Sequence, residues 1–311
     1  VLKLEGVACK DWLTNKVDRS VTGKIARQQN VGALQLPLAD LGAVAIDYTG
    51  TRGMATALGH APAIALIDAA AGSRMAIAEA LTNIVWAPLE NGIDSISLSA
   101  NWMWPCKNKG EDARLYAAVE AASKFAIALG INIPTGKDSL SMTQKYPDGK
   151  QVMSPGTVII TASGEVCDVK KIVTPNIKDV ADSVIIHIDM SNLSPSLGGS
   201  SFAQVVGALG SDCPDIASAK SFKQTFNAIQ ELVKQGLVLA GHDISAGGII
   251  VTLLEMCFAN ENGGIDFRIK DDNICRALET EQPELLLDDG GDEVDRAVDA
   301  EDAGVYHEIV V

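Results

Sequence analysis

Two polar side chains interrupt a segment that is otherwise almost entirely apolar and helix-forming. Glu79 and Asn83 stand four residues apart within Ser73–Trp86, so a helix would place them on one face, one turn apart. A carboxylate buried there without a partner costs several kcal/mol of folding free energy. A hard cation such as Mg²⁺ would satisfy both side chains, because it prefers carboxylate and amide oxygens. An arginine or backbone N–H groups would satisfy Glu79 equally well, so both interpretations stay open.

Two more carboxylates each end an apolar segment. Asp40 closes the run LPLAD just before a strand predicted from Leu41, and Asp68 closes the run AIALID. At such a position a carboxylate most simply forms a turn or caps a helix. If the fold brings both aspartates close to Glu79 and Asn83, the four side chains together indicate an acidic metal cluster.

Two glycine-containing loops are candidates for phosphate binding. The segment Gly241–Gly248, GHDISAGG, follows a predicted buried strand and opens an apolar helix. Asp243 and Ser245 lie in this turn, where free N–H groups and the positive end of the helix dipole favour phosphate. An ordinary N-cap by either side chain explains the segment equally well. The segment LGGSS is similar, and its candidate residues are Gly198, Gly199 and Ser200.

The segment TGKDS contains a lysine in a setting that resembles a P-loop, but the pattern fails. A P-loop needs four residues between its glycines, whereas five separate Gly130 from Gly136, and an acidic residue follows Lys137. Lys137 is still able to meet a phosphate as a point charge. Among the histidines, His242 beside Asp243 is the one we expect closest to any chemistry. Nucleophile-elbow and zinc-ligand spacings are missing from the sequence, so no catalytic residue is assigned.

Alternating strand and helix patterns place these residues in an α/β or α+β fold. Pro175 and Asn176 interrupt the pattern of strands and helices, and the apolar run Ser183–Met190 follows them. This break predicts a domain boundary. The resulting domains are residues 1–178 and 179–311. The predicted strands are Leu41–Tyr48, Ile93–Ala100, Ile131–Pro134, Thr157–Val166, Leu237–Ala240 and Gly264–Ile269. The predicted helices are Ser73–Trp86, Glu111–Leu129, Ser218–Gln235 and Ala246–Asn260.

The composition is that of an acidic globular chain. Its 311 residues are 47% hydrophobic and 21% charged, and the length suggests two domains. The net charge of −15 argues against a nucleic-acid partner, because such proteins neutralise phosphates with Lys and Arg. Residues 271–311 hold 14 of the 40 acidic residues, which most simply form a solvated surface. Six cysteines without paired spacing predict reduced thiols in the cytoplasm, and no apolar run approaches a membrane span.

Six segments, in this order, resemble the phosphoribosylformylglycinamidine synthase family. They are RSVTGKIARQQNVG (19–32), LPLAD (36–40), ALIDAAAGSRMAIAEALTN (65–83), LSANWM (98–103), PTGKDSLSM (134–142) and HDISAGG (242–248). The resemblance runs to about residue 269 and is to the second half of the synthetase region in the large, multidomain form. It implies the two-domain fold of the aminoimidazole ribonucleotide synthetase superfamily. In that fold an N-terminal α/β domain pairs into a barrel-like sheet, and a C-terminal α/β domain follows, here divergent or incomplete after about residue 270.

The resemblance also implies an activity, namely that of an ATP-dependent carbon–nitrogen ligase of de novo purine synthesis. The family converts formylglycinamide ribonucleotide, glutamine and ATP to formylglycinamidine ribonucleotide, glutamate, ADP and phosphate. The implied cofactors are Mg²⁺ and ATP or ADP. The implied partners are the remaining synthetase half and a glutaminase domain that supplies ammonia. We therefore expect this chain alone to be inactive with glutamine.

The resemblance assigns site residues position by position. Asp40, Glu79, Asn83 and Asp243 match the Mg²⁺ ligands of the family, and Asp40 and Ser245 match nucleotide contacts. Lys137 and the LGGSS loop lie in family motifs with less defined roles. Two alternatives stay open. In one, this half is non-catalytic and holds an auxiliary ADP for structure; in the other, two copies of the chain pair their N-terminal domains.

Overall fold

A six-stranded mixed sheet forms the centre of the computed structural model, which describes residues 1–4, 7–8, 23–178, 180, 183–261, 264–265 and 309–310. The strands are β1 (Ile25–Arg27), β2 (Gly42–Ala45), β3 (Gly53–His60), β4 (Ile96–Met103), β5 (Asn132–Ser139), β6 (Thr143–Lys145), β7 (Gln151–Met153), β8 (Thr157–Val166), β9 (Ile185–Ile186) and β10 (Ile309–Val310). The order across the sheet is β1-β2-β3-β8-β4-β5, and only the pair β4–β5 in this sheet is parallel. Strands β6 and β7 form a separate antiparallel pair, and β9 pairs with β10 in parallel.

Helices cover one face of this sheet. The helices of the described residues are α1 (Pro62–Ile67), α2 (Ala69–Ile84), α3 (Glu111–Leu129), α4 (Ser201–Val205), α5 (Ala219–Gln235) and α6 (Gly248–Phe258). Asp68 starts α2, because its carboxylate accepts a hydrogen bond from the backbone N–H of Ala71 at 2.8 Å. The mixed α/β class predicted from the sequence is therefore confirmed.

Small residues let strand β3 approach helix α2 closely. The strand alternates strictly, with Ala55 and Ala57 buried toward the helix and Met54 and Leu58 on the opposite face. A Cβ added to Gly59 would lie 2.3 Å from the carbonyl oxygen of Ala76 and from the amide nitrogen of residue 80. Only glycine fits this position, and the close packing fixes α2 against the end of β3.

Helix α5 packs against the core formed by the sheet and its helices. The rings of Phe222 in α5 and Phe125 in α3 meet edge to face, with centroids 5.9 Å apart. Gln230 of α5, only 1% exposed, accepts a hydrogen bond from the N–H of Leu89 at 2.8 Å. Its amide donates to the carbonyl of Ala87 at 2.9 Å, so the buried polar group is satisfied. The core thus continues across residue 178, and a domain boundary there remains a prediction.

Several predicted elements agree closely with the structure. The helix Glu111–Leu129 and the strand Thr157–Val166 have the predicted bounds. Helix α2 begins four residues before the predicted Ser73, because Asp68 caps it. The strand predicted over Ile131–Pro134 extends to residue 139 as β5.

Other predictions fail or lie outside the described residues. The strand predicted over Leu237–Ala240 is wrong, because this segment is irregular in the structure. The sequence patterns also missed the central strand β3. The strand predicted over Gly264–Ile269 and most of the acidic segment 271–311 lie outside the described residues. In the part of the chain that is described, no helix has the length and apolar character needed to cross a membrane.

Candidate functional site

Helix α2 and the end of strand β3 position the two polar side chains singled out by the sequence. Glu79 Oε2 accepts a hydrogen bond from the backbone N–H of His60 at 2.6 Å. Asn83 Nδ2 donates to the carbonyl oxygen of Leu58 at 3.0 Å. Because its nitrogen is committed to this carbonyl, Asn83 keeps Oδ1 for another partner. A backbone N–H, and no arginine of the described residues, is therefore what satisfies Glu79.

Asp40 lies at the centre of a second group of polar side chains. Its side chain is 4% exposed, and Oδ1 lies 2.6 Å from His242 Nδ1. Oδ2 is buried and has no hydrogen-bond partner in the described part of the chain. A buried carboxylate oxygen without a partner lowers the stability of the fold unless a hydrogen-bond donor or a cation contacts it. Asp40 therefore offers one oxygen that the described protein leaves unsatisfied.

His242 bridges the carboxylates of three different segments. Its Nδ1 lies 2.6 Å from Asp40 and 3.6 Å from Asp243 Oδ1, and its Nε2 lies 3.2 Å from Glu255 Oε2. One ligand atom each from Asp40, His242 and Asp243 can be chosen so that all lie within 4.8 Å of one another. We call Asp40, Glu79, His242, Asp243 and Glu255 the carboxylate cluster.

Electrostatics couple the members of the carboxylate cluster. Burial raises the pKa of Asp243 to about 8, and the charges of Asp40 and Glu79 act in the same direction. Burial also raises the pKa of Asp40 and of Glu79; His242 opposes the shift at Asp40, and the N–H of His60 opposes it at Glu79. Glu79 is therefore close enough to Asp243 for their charges to interact. No hydrogen bond or ion pair between described residues joins Glu79 to Asp40, His242 or Asp243, so this interaction of charges is what links Glu79 to the cluster.

His242 acts in this cluster as a cation. Burial works against its charge, but the charge and hydrogen bond of Asp40, with help from Glu255, raise its pKa to about 10. A protonated imidazole donates from both nitrogens and has no lone pair left for a metal. Both ring nitrogens of His242 face carboxylate oxygens, so the atoms left for a cation are carboxylate and amide oxygens, which suit Mg²⁺.

The glycine loop before α6 carries Ser245 beside the cluster. Helix α6 begins after Gly247 without a side-chain cap, so Asp243 and Ser245 do not serve as the ordinary N-cap considered from the sequence. Ser245 is exposed, and its carbonyl accepts from the N–H of Gly248 at 2.9 Å. The hydroxyl of Ser245 thus lies at the surface, two residues from the buried Asp243.

The LGGSS loop lies next to this turn. The N–H of Ser201 donates to the carbonyl oxygen of Ala246 at 2.8 Å, which joins the two loops predicted to bind phosphate. Within LGGSS, Ser200 caps α4 through the N–H of Ala203. A Cβ on Gly198 would lie 1.6 Å from the Asp212 carbonyl. Gly199 has a φ of +74°. Packing and capping therefore explain these residues, and a nucleotide role for Gly198, Gly199 and Ser200 stays a prediction.

Two candidate residues stand apart from the carboxylate cluster. Asp68 is the N-cap of α2, which is the simple interpretation favoured from the sequence. Lys137 is exposed on β5, at the edge of the sheet and separated from β3 by two strands. No hydrogen bond or ion pair between described residues links Lys137 to the cluster, and its phosphate role remains a prediction.

Sequence reasoning missed Glu255, although a signal was present. Glu255 is the only charged residue of helix α6, GIIVTLLEMCF. A lone carboxylate in an apolar helix is the pattern that singled out Glu79. The lone carboxylate of α6 thus predicts a buried polar partner, which in the structure is His242, the histidine that borders Asp243.

Comparison with known proteins identifies the family. The family model of the FGAR-AT PurM_N-like domain matches residues 9–165, about half of the chain, and that of the AIR synthase related protein, C-terminal domain, matches residues 181–284. The chain is 42% identical over 290 residues to a probable chloroplastic/mitochondrial phosphoribosylformylglycinamidine synthase of Arabidopsis thaliana, covering 93% of this chain and 20% of the relative. It is 40% identical over 290 residues to the phosphoribosylformylglycinamidine synthase of Homo sapiens, covering 93% and 22%. The chain belongs to the FGAR-AT PurM_N-like family, and the resemblance seen in its motifs is confirmed.

The chain spans about a fifth of the length of the curated relatives that it matches. Among solved structures, it superposes on Thermotoga maritima PurL complexed with FGAR with a TM-score of 0.48 and 12% identity, covering 73% of this chain and 34% of that one. PurLQS from the same organism gives a TM-score of 0.41 and 19% identity, covering 54% and 25%.

Proposed function

We propose that this member of the FGAR-AT PurM_N-like family forms a Mg²⁺–nucleotide site within an ATP-dependent phosphoribosylformylglycinamidine synthase. The observation that supports this most is the buried and unsatisfied Oδ2 of Asp40, which lies beside Asp243, a carboxylate whose charge interacts with that of Glu79. A divalent cation offsets the excess of carboxylates, and the oxygen ligands suit Mg²⁺. The ligands in this proposal are Asp40, Glu79, Asn83 and Asp243, and Asp40 and Ser245 contact the nucleotide.

The chain's own residues hold this site in place. Helix α2 carries Glu79 and Asn83, each fixed by one hydrogen bond to the backbone of β3. His242 occupies Oδ1 of Asp40, so Oδ2 is the oxygen left for an ion. Glu255 in turn holds the other nitrogen of His242, as the outer partners of metal ligands commonly do. When bound, the metal neutralises phosphate charge on the nucleotide.

The whole reaction needs parts beyond this half. In the proposal the synthase uses ATP and glutamine-derived ammonia to convert formylglycinamide ribonucleotide to formylglycinamidine ribonucleotide in the cytoplasm. The partners are the remaining synthetase half and the glutaminase domain. The exposed sheet face supports a partner there, because Val44, Met54 and Leu58 are 38%, 40% and 56% exposed on neighbouring strands. The chain alone is therefore expected to be inactive with glutamine.

Burial of the cluster supports a second function for the same site, namely a structural one. Asp40 and Asp243 have side chains only 4% and 9% exposed, so an ion held between them is shielded from solvent. A nucleotide anchored on such an ion would exchange slowly and would stabilise the fold instead of turning over. Retention of labelled ADP during a chase with unlabelled ATP supports this structural role, whereas rapid exchange supports turnover.

Mn²⁺ binding tests the metal site directly, because Mn²⁺ substitutes for Mg²⁺ at oxygen ligands and is visible by electron paramagnetic resonance. We expect the 311-residue chain to bind one tight Mn²⁺ that Mg²⁺ displaces. Asp243→Asn should lose this ion, whereas the control Asp148→Asn, in the exposed turn between β6 and β7, should keep it. Equal Mn²⁺ binding by the two variants would overturn the proposal.

A further inference from the structure

A second charged site lies in a cavity that shares no residue with the carboxylate cluster. The cavity has a volume of about 500 Å³, within the range of small-molecule pockets. Its walls come from Arg27 of β1, from the segment 170–178 and from the end of α5 with the residues after it. Four basic side chains and no carboxylate belong to this lining: Arg27, Lys170, Lys171 and Lys178. We call this the basic cavity.

Arg27 is the least exposed of these cations, and its guanidinium is only partly satisfied. Its Nη2 donates to the carbonyl oxygen of Ile172 over a long 3.5 Å, and its Nε is buried without a hydrogen-bond partner among the described residues. Burial lowers the pKa of Arg27, so the surroundings disfavour its charge. A buried N–H of a charged group that meets no acceptor calls for a specific explanation, and an absent ligand is a common one.

Lys178 adds a second charge close to Arg27. Burial lowers the pKa of Lys178, and the positive charge of Arg27 lowers it further. No carboxylate of the described residues forms an ion pair with Arg27, Lys170 or Lys178. Lys171 is different, because it already donates to the carbonyl of Lys234 at 2.8 Å. Among the described residues, like charges therefore lie together without a counter-ion.

Two buried polar side chains belong to the same lining. Thr174 and Asn176 are each 8% exposed, and the Thr174 hydroxyl donates to Asn176 Oδ1 at 2.8 Å. This hydrogen bond commits the amide oxygen of Asn176 and leaves its NH₂ group able to donate. Arginine, lysine and an amide NH₂ together form a set of donors, which is what an anion needs.

We propose that the basic cavity binds a small phosphate-bearing molecule, with Arg27 and Lys178 as its principal contacts and Lys170 at the rim. A phosphate carries up to two charges and several acceptor oxygens, so it can meet cations that approach from different walls. Guanidinium groups are especially suited to phosphate because they present several N–H donors in a fixed plane. Such a ligand would satisfy the Nε of Arg27 and remove the repulsion between Arg27 and Lys178.

Inorganic phosphate is the probe for the test, with the whole 311-residue chain in a buffer that contains EDTA. Titration is followed on the arginine Nε–H signals in ¹H–¹⁵N spectra, and the Arg27 signal is assigned by its loss in Arg27→Lys. We expect saturable binding that shifts this signal. Arg27→Gln should weaken binding by about tenfold or more, and Lys178→Gln by about threefold. Lys178 is exposed, so its variant keeps the test valid even if Arg27→Gln fails to fold.

Two controls separate this site from general charge effects and from the metal site. Lys145→Gln, an exposed lysine on β6, should leave phosphate affinity within about twofold of wild type. The EDTA in the buffer keeps divalent cations from the proposed Mg²⁺ site, so phosphate held there through a metal does not contribute. Absence of saturable binding, or equal weakening by Lys145→Gln and Lys178→Gln, would overturn the proposal.

Discussion

The carboxylate cluster and the basic cavity are two partly buried sites with opposite excess charge. In the cluster, the carboxylates of Asp40, Asp243 and Glu255 surround the imidazolium of His242, which neutralises part of their charge. In the cavity, Arg27 and Lys178 repel each other, and the described residues supply no counter-ion. The two sites are neighbours along the fold, because the carbonyl of Thr174 accepts from the N–H of Gly241 at 3.2 Å.

This difference shows how each site tolerates its buried charge. The cluster has an internal cation that also orients Asp40, so the fold can form before a metal arrives. The lysines of the cavity are exposed to solvent, and the buried Nε of Arg27 has no hydrogen-bond partner in the described part of the chain. We therefore expect changes in the cluster to affect stability strongly, and changes in the cavity to affect mainly ligand binding.

Replacement of His242, the cation inside the cluster, should have the largest effect on stability. His242→Leu leaves Asp40, Asp243 and Glu255 without a buried partner, so we expect a loss of about 3 kcal/mol or more in the free energy of unfolding. Urea denaturation at pH 7 measures this loss. The control His60→Leu keeps the backbone N–H used by Glu79, and its exposed side chain predicts a change within about 0.5 kcal/mol. A similar small change for both variants would contradict the role given to His242.

Removal of the outer carboxylate should have a smaller and more specific effect. Glu255→Gln releases one side of His242 without touching a proposed ligand, so Mg²⁺ affinity should fall by about tenfold. Competition against Mn²⁺ measures this change. Glu231→Gln, on exposed α5 surface, is the matched control and should bind as wild type. Unchanged Mg²⁺ affinity in Glu255→Gln would show that Glu255 does not position the site.

The stability of the metal-free chain should depend on pH because of the same cluster. His242 has a pKa raised to about 10 and Asp243 one raised to about 8, so the folded state binds more protons than the unfolded chain. Stability should therefore begin to fall above about pH 4, where an unfolded aspartate loses its proton and folded Asp243 keeps it, and should fall further between about pH 6.5, the pKa of unfolded histidine, and pH 10. Urea denaturation at several pH values checks the direction. Asp243→Asn should weaken this dependence, and stability that rises over the same range would contradict the account.

The smallest expected effect is that of a substitution in the basic cavity on ligand affinity at the metal site. The two sites share no residue, so Arg27→Gln should leave Mg²⁺ and ADP affinity within about twofold of wild type. Calorimetry on the folded variant tests this independence. A loss of Mg²⁺-dependent ADP binding as large as that caused by Glu79→Gln would mean that the two sites are one functional unit.

The sequence predicted the long helix α3 and the long inner strand β8 well, because their apolar patterns are strong. It missed β3, since Ala55 and Ala57 are small and Gly59 is a poor strand residue judged alone. These small residues make room for α2. The pattern within the strand cannot reveal this close contact, because the contact joins two separate elements. The same contact places Glu79 and Asn83, so the site depends on the strand that was missed.

The candidate ligands were partly accessible from the sequence. Burial of Glu79 followed from its apolar helix, and the capping role of Asp68 followed from its position before one. The approach of Asp40 to His242 joins residues 202 positions apart and could not be found without the fold or a family resemblance. The basic cavity was not predicted at all, because Arg27 is far in the sequence from the lysines of the segment 170–178 and no motif links them.

Calorimetric titration of the 311-residue chain with ADP tests the central claim most directly. The titration is run with Mg²⁺ and with EDTA, on the wild type, on Glu79→Gln and on Glu120→Gln, an exposed glutamate of α3. The account predicts ADP binding that requires Mg²⁺, is retained in Glu120→Gln and is weakened by at least about tenfold in Glu79→Gln. ADP binding of equal strength with EDTA, or in Glu79→Gln, would contradict a Mg²⁺–nucleotide site built on these oxygens.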